Sequence, residues 1–161
     1  MSNCKRIEKI IFSLTNISRR KRGLKNFRYD NGLRTLSRIH SSKMARKGRI
    51  YHGNNVKVAH GHIESDFLDI FSFLVKLFLF PFIGWFGSSG ISGENVALMP
   101  KGLVKGLGLV STNHQIARAF HRTWMKSPDH RSNILNPSFS KLGIGVKRQG
   151  NKFYATELFY G

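Results

Sequence analysis

Histidine is the residue type with which this chain can do chemistry. Of its seven histidines, His130 has the most telling surroundings. It sits in Trp124-Met125-Lys126-Ser127-Pro128-Asp129-His130-Arg131. A helix running up to Met125 must stop at Ser127-Pro128, because proline lacks an N–H and clashes with the preceding turn. The same pair can open a new short helix, with Ser127 as N-cap, Pro128 at the first helical position and Asp129 in the first turn. His130 then stands at a helix start, where backbone N–H groups meet a carboxylate. Such a histidine is either a site residue or part of a capped corner, and the local pattern leaves both readings open.

The remaining candidates say less. His60-x-His62 would suit a metal if both rings pointed one way from a strand, but the glycine and charge around them favour a plain loop. His40 shares one helix face with Leu33, Leu36 and Met44, so it reads as a satisfied core or boundary histidine. No Ser-His-Asp or Cys-His arrangement is identifiable. Cys4 is the only cysteine, so no internal disulfide can form.

The elements that must position these residues follow from periodicity and punctuation. Ile7, Ile10, Ile11, Leu14 and Ile17 give residues 6–18 the spacing of an amphipathic helix, with Gly23 as its C-cap. Asp30 caps a second helix over about 31–47, ended by Gly48. Asn113 caps a third through Met125, with Ile116, Ala117, Phe120 and Trp124 inward. Asn136-Pro137 breaks the chain again. Leu142-Gly143-Ile144-Gly145-Val146 then reads as a buried strand with two points of close backbone approach. Strand 142–148 meets strand 152–159 across Gln149-Gly150-Asn151 as a hairpin. Helices followed by a helix and paired strands predict an α+β layered domain. Gly106-Leu107-Gly108 lacks the strand, turn and further glycines of a dinucleotide fingerprint.

At 161 residues the chain fits one domain, long enough to bury a real core. Its formal charge of +19 is uneven, with 15 Lys/Arg in the first fifty residues. The run Arg19-Arg20-Lys21-Arg22 either ends a helix as solvated charge or meets an anionic surface. Aromatic residues do not interleave with it, which argues against base-specific nucleic-acid reading. No secretory signal is visible, since Ile10–Leu14 is too short for an apolar core and basic residues follow. Two readings stay open: the true start lies elsewhere, or the protein works in the cytoplasm or at a membrane surface.

Residues 67–86 hold seven of the thirteen phenylalanines. Their length alone permits a membrane span. Asp69, Lys76 and Pro81 argue against one, because each is costly or disruptive in lipid. The segment reads as a buried element, a homo-oligomer contact or a lipid-contacting surface, with Phe78, Phe80, Phe82 and Trp85 as contact residues.

Several motifs follow one another in order: Asn16 with Gly23-Leu24, Tyr29-Asp30 with Leu33 and Leu36, His40-Ser41, Met44-Ala45-Arg46-Lys47-Gly48 with His52, Gly93-Glu94-Asn95-Val96-Ala97, Trp124 to Leu135, and Leu142 to Val146. Together they resemble the CAP superfamily, the SCP-like proteins that include cysteine-rich secretory proteins, antigen 5 and plant pathogenesis-related proteins. The likeness is to the short, disulfide-free prokaryotic members and spans about 14–160, apart from a poorly matching middle. The resemblance implies a three-layer α-β-α sandwich with a mixed, largely antiparallel sheet over 1–161, carrying an aromatic-rich insertion at about 62–91. It also implies a cleft of two histidines and acidic residues that can hold a divalent metal, zinc foremost. By motif the metal set is His52, Glu94 and His130, with Ser127, Asp129 and Asn95 as cleft neighbours and Glu94 as the candidate catalytic group. The family's second acidic position is Ser127 here, which weakens acid/base catalysis. Glu157 stands where glutamine is frequent, its role open. Spacing could not have selected the set, whose members lie 42 and 36 positions apart.

The implied function is a metal-containing cleft that binds a lipid, glycan or protein ligand. Metal-dependent hydrolysis, with peptides among the substrates, is the alternative, and a basic anionic-surface or nucleic-acid binder is the third reading. A single membrane crossing at 67–86 would separate His52 from Glu94 and His130 by the roughly 30 Å hydrocarbon core, so the segment is expected not to be one.

Overall fold

The computed structural model describes residues 2–53 and 92–161. The insertion at 62–91, His60, His62, segment 67–86 and its Phe78, Phe80, Phe82 and Trp85 lie outside the described residues. Helix α1 (Asn3–Arg20) leads to β1 (Arg28–Tyr29) and α2 (Asn31–Lys47). After the undescribed stretch come β2 (Ser92–Pro100), the hairpin β3 (Gly102–Val104) and β4 (Gly108–Val110), α3 (Asn113–Lys126), α4 (Pro128–Ile134), β5 (Lys141–Gln149) and β6 (Lys152–Tyr160).

The main sheet has the order β1-β5-β6-β2. β1 runs parallel to β5 over two residues, and the other pairings are antiparallel. β2 is therefore one edge, and β5 becomes an edge beyond Leu142. The fold is α+β, with α2 on one face of the mixed sheet and α1 with α3 on the other.

Alternation assigns the faces. Leu142, Ile144 and Val146 of β5, with Phe153, Ala155 and Phe159 of β6, join Ile7, Ile11, Ile116, Phe120 and Trp124 in the main core. Their strand neighbours turn to α2, where Met44, Ala45, Val96 and Tyr154 make a smaller cluster. α2 comes this close because β5 presents glycines there. A Cβ on Gly143 would overlap Leu33 and Arg34, and one on Gly145 would overlap Ser37 and Arg38. Ser37 and Ser41 donate hydroxyl hydrogen bonds to the carbonyls of Gly143 and Gly145, at 3.0 and 2.9 Å. The expected close approaches are thus both against α2.

The caps explain the helix limits. Asp30 accepts from Leu33 N–H at 2.8 Å, and Gly48 closes α2 at φ +68°, where a side chain would be strained. α3 begins one residue earlier than expected: Thr112, not Asn113, is its N-cap, in a reciprocal capping box with Gln115. Ser127 ends α3 and starts α4. α1 starts earlier than periodicity suggests, with Ser2 as its cap.

The basic run needs one correction. Arg19 is not available to an anionic surface, since it is 1% exposed. Its Nε donates to Lys25 O, and its terminal nitrogens donate to Ile134 O, Asn136 O and Phe139 O. The guanidinium also lies 3.8 Å from the Phe27 ring centre. One planar cation carries enough donors to satisfy the C-terminal carbonyls of α4 and the loop after it. Arg20, Lys21 and Arg22 remain exposed. Among the described residues, no helix is long and apolar enough to cross a membrane.

Candidate functional site

His52, Glu94 and His130 meet at the start of edge strand β2. Glu94 points to the α2 face and Asn95 to the opposite face, because neighbouring strand residues alternate. The loop after α2 brings His52 to Glu94, and α4 brings His130 from the other side. His52 Nδ1 lies 3.1 Å from Glu94 Oε1. The carboxylate can only accept, so His52 donates through Nδ1 and its Nε2 is left for a ligand. Gly53 N–H donates to the same Oε1 at 2.9 Å. The His52 and His130 rings are 6.4 Å apart between centres. The His52 side chain is 64% exposed, whereas that of Glu94 is 2% exposed.

A residue read as ordinary core stands behind this pair. His40 is buried and bonded, as expected, but its bond sets the loop that carries His52. Its Nε2 donates to Tyr51 O at 2.9 Å, and its ring meets the Tyr51 ring edge-on at 5.1 Å. The same Nε2 is 3.8 Å from Glu94 Oε2, beyond hydrogen-bond length. Glu94 Oε2 is enclosed without a hydrogen-bond partner among the described residues.

On the other side, α4 is pinned to β2 by two amides. Asn95 Nδ2 donates to His130 O at 3.1 Å and to Glu157 Oε2 at 3.0 Å. Asn133 Nδ2 donates to Asn95 Oδ1 at 2.9 Å and to Glu94 O at 3.3 Å. Thr15 donates to Glu157 Oε1 at 3.0 Å, so the chain of bonds runs from α1 to the site. Glu157 is fully buried, and burial pushes its carboxyl up to about 7 against the opposing pull of the Asn95 and Thr15 hydrogen bonds. This gives Glu157 a place: it supports Asn95 from below and does not reach the cleft. Asn133 and Glu157 could not be assigned from sequence, because their partners are distant along the chain.

His130 is held below its ordinary value by burial first and by nearby His52 second, with Asp129 opposing. A neutral imidazole is the form that binds a metal. The Nδ1 of His130 is enclosed without a hydrogen-bond partner among the described residues. Asp129 is exposed, and Ser127 is half-buried at the α3–α4 corner with no side-chain capping bond. Among the described residues, no three His, Cys, Asp or Glu side chains stand in the geometry of a metal site. The arrangement is two facing imidazoles, one of them backed by a carboxylate.

Comparison with known proteins agrees with the fold and the motif order. The family model for CAP, the cysteine-rich secretory protein family, matches residues 12–160. Uncharacterized protein YkwD of Bacillus subtilis is 29% identical over 154 residues, covering 96% of this chain and 47% of that protein. The chain thus spans about half the length of the curated relative it matches. An outer surface protein from Borrelia burgdorferi gives a TM-score of 0.63 at 16% identity, covering 99% of this chain and 95% of that one. NaASP2, solved with Zn2+, gives a TM-score of 0.53 at 11% identity, covering 99% of this chain and 80% of that one. At such identities both structures speak for the fold alone.

Proposed function

The chain belongs to the CAP family of cysteine-rich secretory proteins, and from that premise we propose that its cleft is a ligand-binding site built around a divalent cation, zinc by donor type. His52 and His130 would hold the ion, and Glu94 would fix the tautomer and direction of His52. The observation that carries this reading is the His52 Nδ1–Glu94 Oε1 contact of 3.1 Å, with the His130 ring facing His52. A carboxylate behind an imidazole is the usual outer-shell partner of a metal-binding histidine. Enclosed Glu94 Oε2 and His130 Nδ1, each lacking a hydrogen-bond partner among the described residues, fit a site whose polar atoms are completed by an ion or water.

Bound there, the ion would supply a Lewis acid for an oxygen of a lipid, glycan or protein ligand. The chain's own residues orient and exclude. Tyr51 and Gly53 seat the His52 loop, while Asn95 and Asn133 hold α4 and with it His130. Hydrolysis with Glu94 as general base has less support. Its Oε1 already accepts from Gly53 and His52, and its Oε2 is enclosed beside His40.

The test is zinc titration by calorimetry, with metal content by mass spectrometry, on the wild type and on His52→Ala and His130→Ala. Each single variant should lose most of the zinc affinity while keeping the wild-type melting temperature within a few degrees. Equal zinc binding by all three proteins would remove the site.

A further inference from the structure

Diagonally across the sheet from the cleft, cations from two elements converge on one groove. The registers place Ser92 and Glu94 at the end of the sheet marked by Lys141 and Tyr160, and Gln149 and Lys152 at the other end. The groove lies at that far end, on the open edge of β5 and the last turns of α2. It measures about 590 Å³ and is walled by Arg38, Ile39, Ser42, Arg46, Lys147 and Arg148 among others.

Charge on an edge strand has a common purpose, which is to block pairing with another chain. Here the charges also come from the helix facing the strand, and they line a concavity. Two of the four are already engaged. Arg38 is gripped by both oxygens of Glu8. Arg148 borders the groove with its backbone, while its side chain turns to the other face, donating from Nε to Gly150 O at 2.8 Å and lying over the Phe153 ring at 5.7 Å. Arg46 and Lys147 are exposed. Glu8 is buried beneath Arg38 and also serves Arg34 and the Val146 N–H, so its single charge is shared and does not neutralise the groove.

We propose that this groove binds a phosphate-bearing ligand, its anionic oxygens on Arg46 and Lys147 and its uncharged part on Ile39. Arginine and lysine together match phosphate as fork and point charge. A cleft lined by one sign of charge focuses its field on a counter-ion. The site is separate from the cleft and does not depend on the metal reading.

A phosphate ligand can be a free anion or a lipid headgroup, and two probes separate them. The first is calorimetric titration with inorganic pyrophosphate. The second is flotation with phosphatidylcholine vesicles, with and without phosphatidylglycerol. Three proteins of residues 1–161 are compared: wild type, Arg46→Glu/Lys147→Glu, and the surface control Arg118→Glu/Arg122→Glu on α3, which carries the same change of charge. Far-UV circular dichroism and melting temperature check folding, and Arg46→Gln/Lys147→Gln replaces the reversal if that variant is unstable. Wild type should bind at least one probe. The groove variant should lose about tenfold or more, since each cation near an anionic surface counts for several-fold, and the control should stay within about threefold. Pyrophosphate binding assigns a free phosphate, and vesicle binding without it assigns a headgroup. Equal weakening in the two charge-reversed proteins, or no binding of either probe by wild type, overturns the proposal.

Discussion

On one face of the sheet α2 rests on the backbone of β5, and on the other α1 and α3 stand off on large side chains. The first contact is made by Gly143 and Gly145 and by two serine hydroxyls bonded to their carbonyls. The second is made by Ile144, Phe159, Phe120, Trp124 and their neighbours. Backbone against backbone has no slack, whereas interlocking side chains can adjust in part when one is trimmed. The site draws on both. His40, Glu94 and the loop of His52 depend on the rigid face. His130 depends on α4, which is tied to the other face through Asn95 and Glu157.

The sharpest way to break this contrast is to add volume on one face and remove it on the other. Gly145→Val must push α2 off the sheet, because even a methyl there overlaps Ser37 and Arg38 backbone atoms. Its cost should approach the whole stability of a domain this size, about 5–15 kcal/mol. The expected readout is an unfolded or insoluble chain. Ile144→Ala, one residue away and facing the main core, should cost about 2–5 kcal/mol and still fold. Urea unfolding checks both. A Gly145→Val protein as stable as Ile144→Ala would show that α2 can move and that the two faces do not differ.

A second test separates a charged from a neutral buried carboxyl. Glu8 meets Arg34 and Arg38, whereas no cation bonds Glu157 among the described residues. Burial pushes Glu157 up from 4.5 to about 7. Below about pH 4.5 it is protonated both folded and unfolded. Between about 4.5 and 7 the unfolded chain has lost the proton that the folded chain keeps. Folding therefore binds a proton there, and stability falls as pH rises, by up to about 1.4 kcal/mol per pH unit. His121 works in the opposite sense, since burial lowers it from 6.5 to about 4 and its contribution is lost as pH falls. That contribution is common to wild type and Glu157→Gln, so the difference between them isolates Glu157. The variant should gain on the wild type by roughly 1–3 kcal/mol from about pH 4.5 to 7 and then level off. Parallel stability profiles would mean that Glu157 keeps an ordinary carboxyl.

Most of the layering was legible because its signals are local. The α2 limits follow from Asp30 and Gly48, the hairpin from Gly150, and the two close approaches from Gly143 and Gly145. What failed to show has its cause in distance. Arg19 looked like one more charge in a basic run, but three of its four carbonyl partners lie 115 to 120 residues further on. Gly93–Ala97 gave no alternating pattern, since that part of β2 is buried throughout. At the site, family motifs pointed to His52, Glu94 and His130. Nothing local linked His40 to Glu94 or Glu157 to Asn95, because only the sheet register and the fold of α2 bring them together.

The last prediction sharpens the division within the site itself. If Glu94 orients His52 and is not itself a ligand, then Glu94→Gln and His52→Ala should differ in degree. Glutamine keeps the shape and can still accept from Gly53 and His52 through its amide oxygen. It loses the negative charge that makes the imidazole a stronger donor to metal. Loss of such an outer partner costs about 10–100-fold in metal affinity, whereas loss of a ligand from a two-histidine site should leave little binding to measure. Zinc titration should therefore rank wild type first, Glu94→Gln next, and His52→Ala and His130→Ala last. His130 is tied to the opposite face, so its ring should keep its place in Glu94→Gln, and its NMR titration should shift only modestly from wild type. Equal loss of zinc in Glu94→Gln and His52→Ala would make Glu94 a ligand in its own right. The carboxylate would then have to leave Gly53 to reach the ion, and the His52 loop would owe its position to His40 and Tyr51 alone.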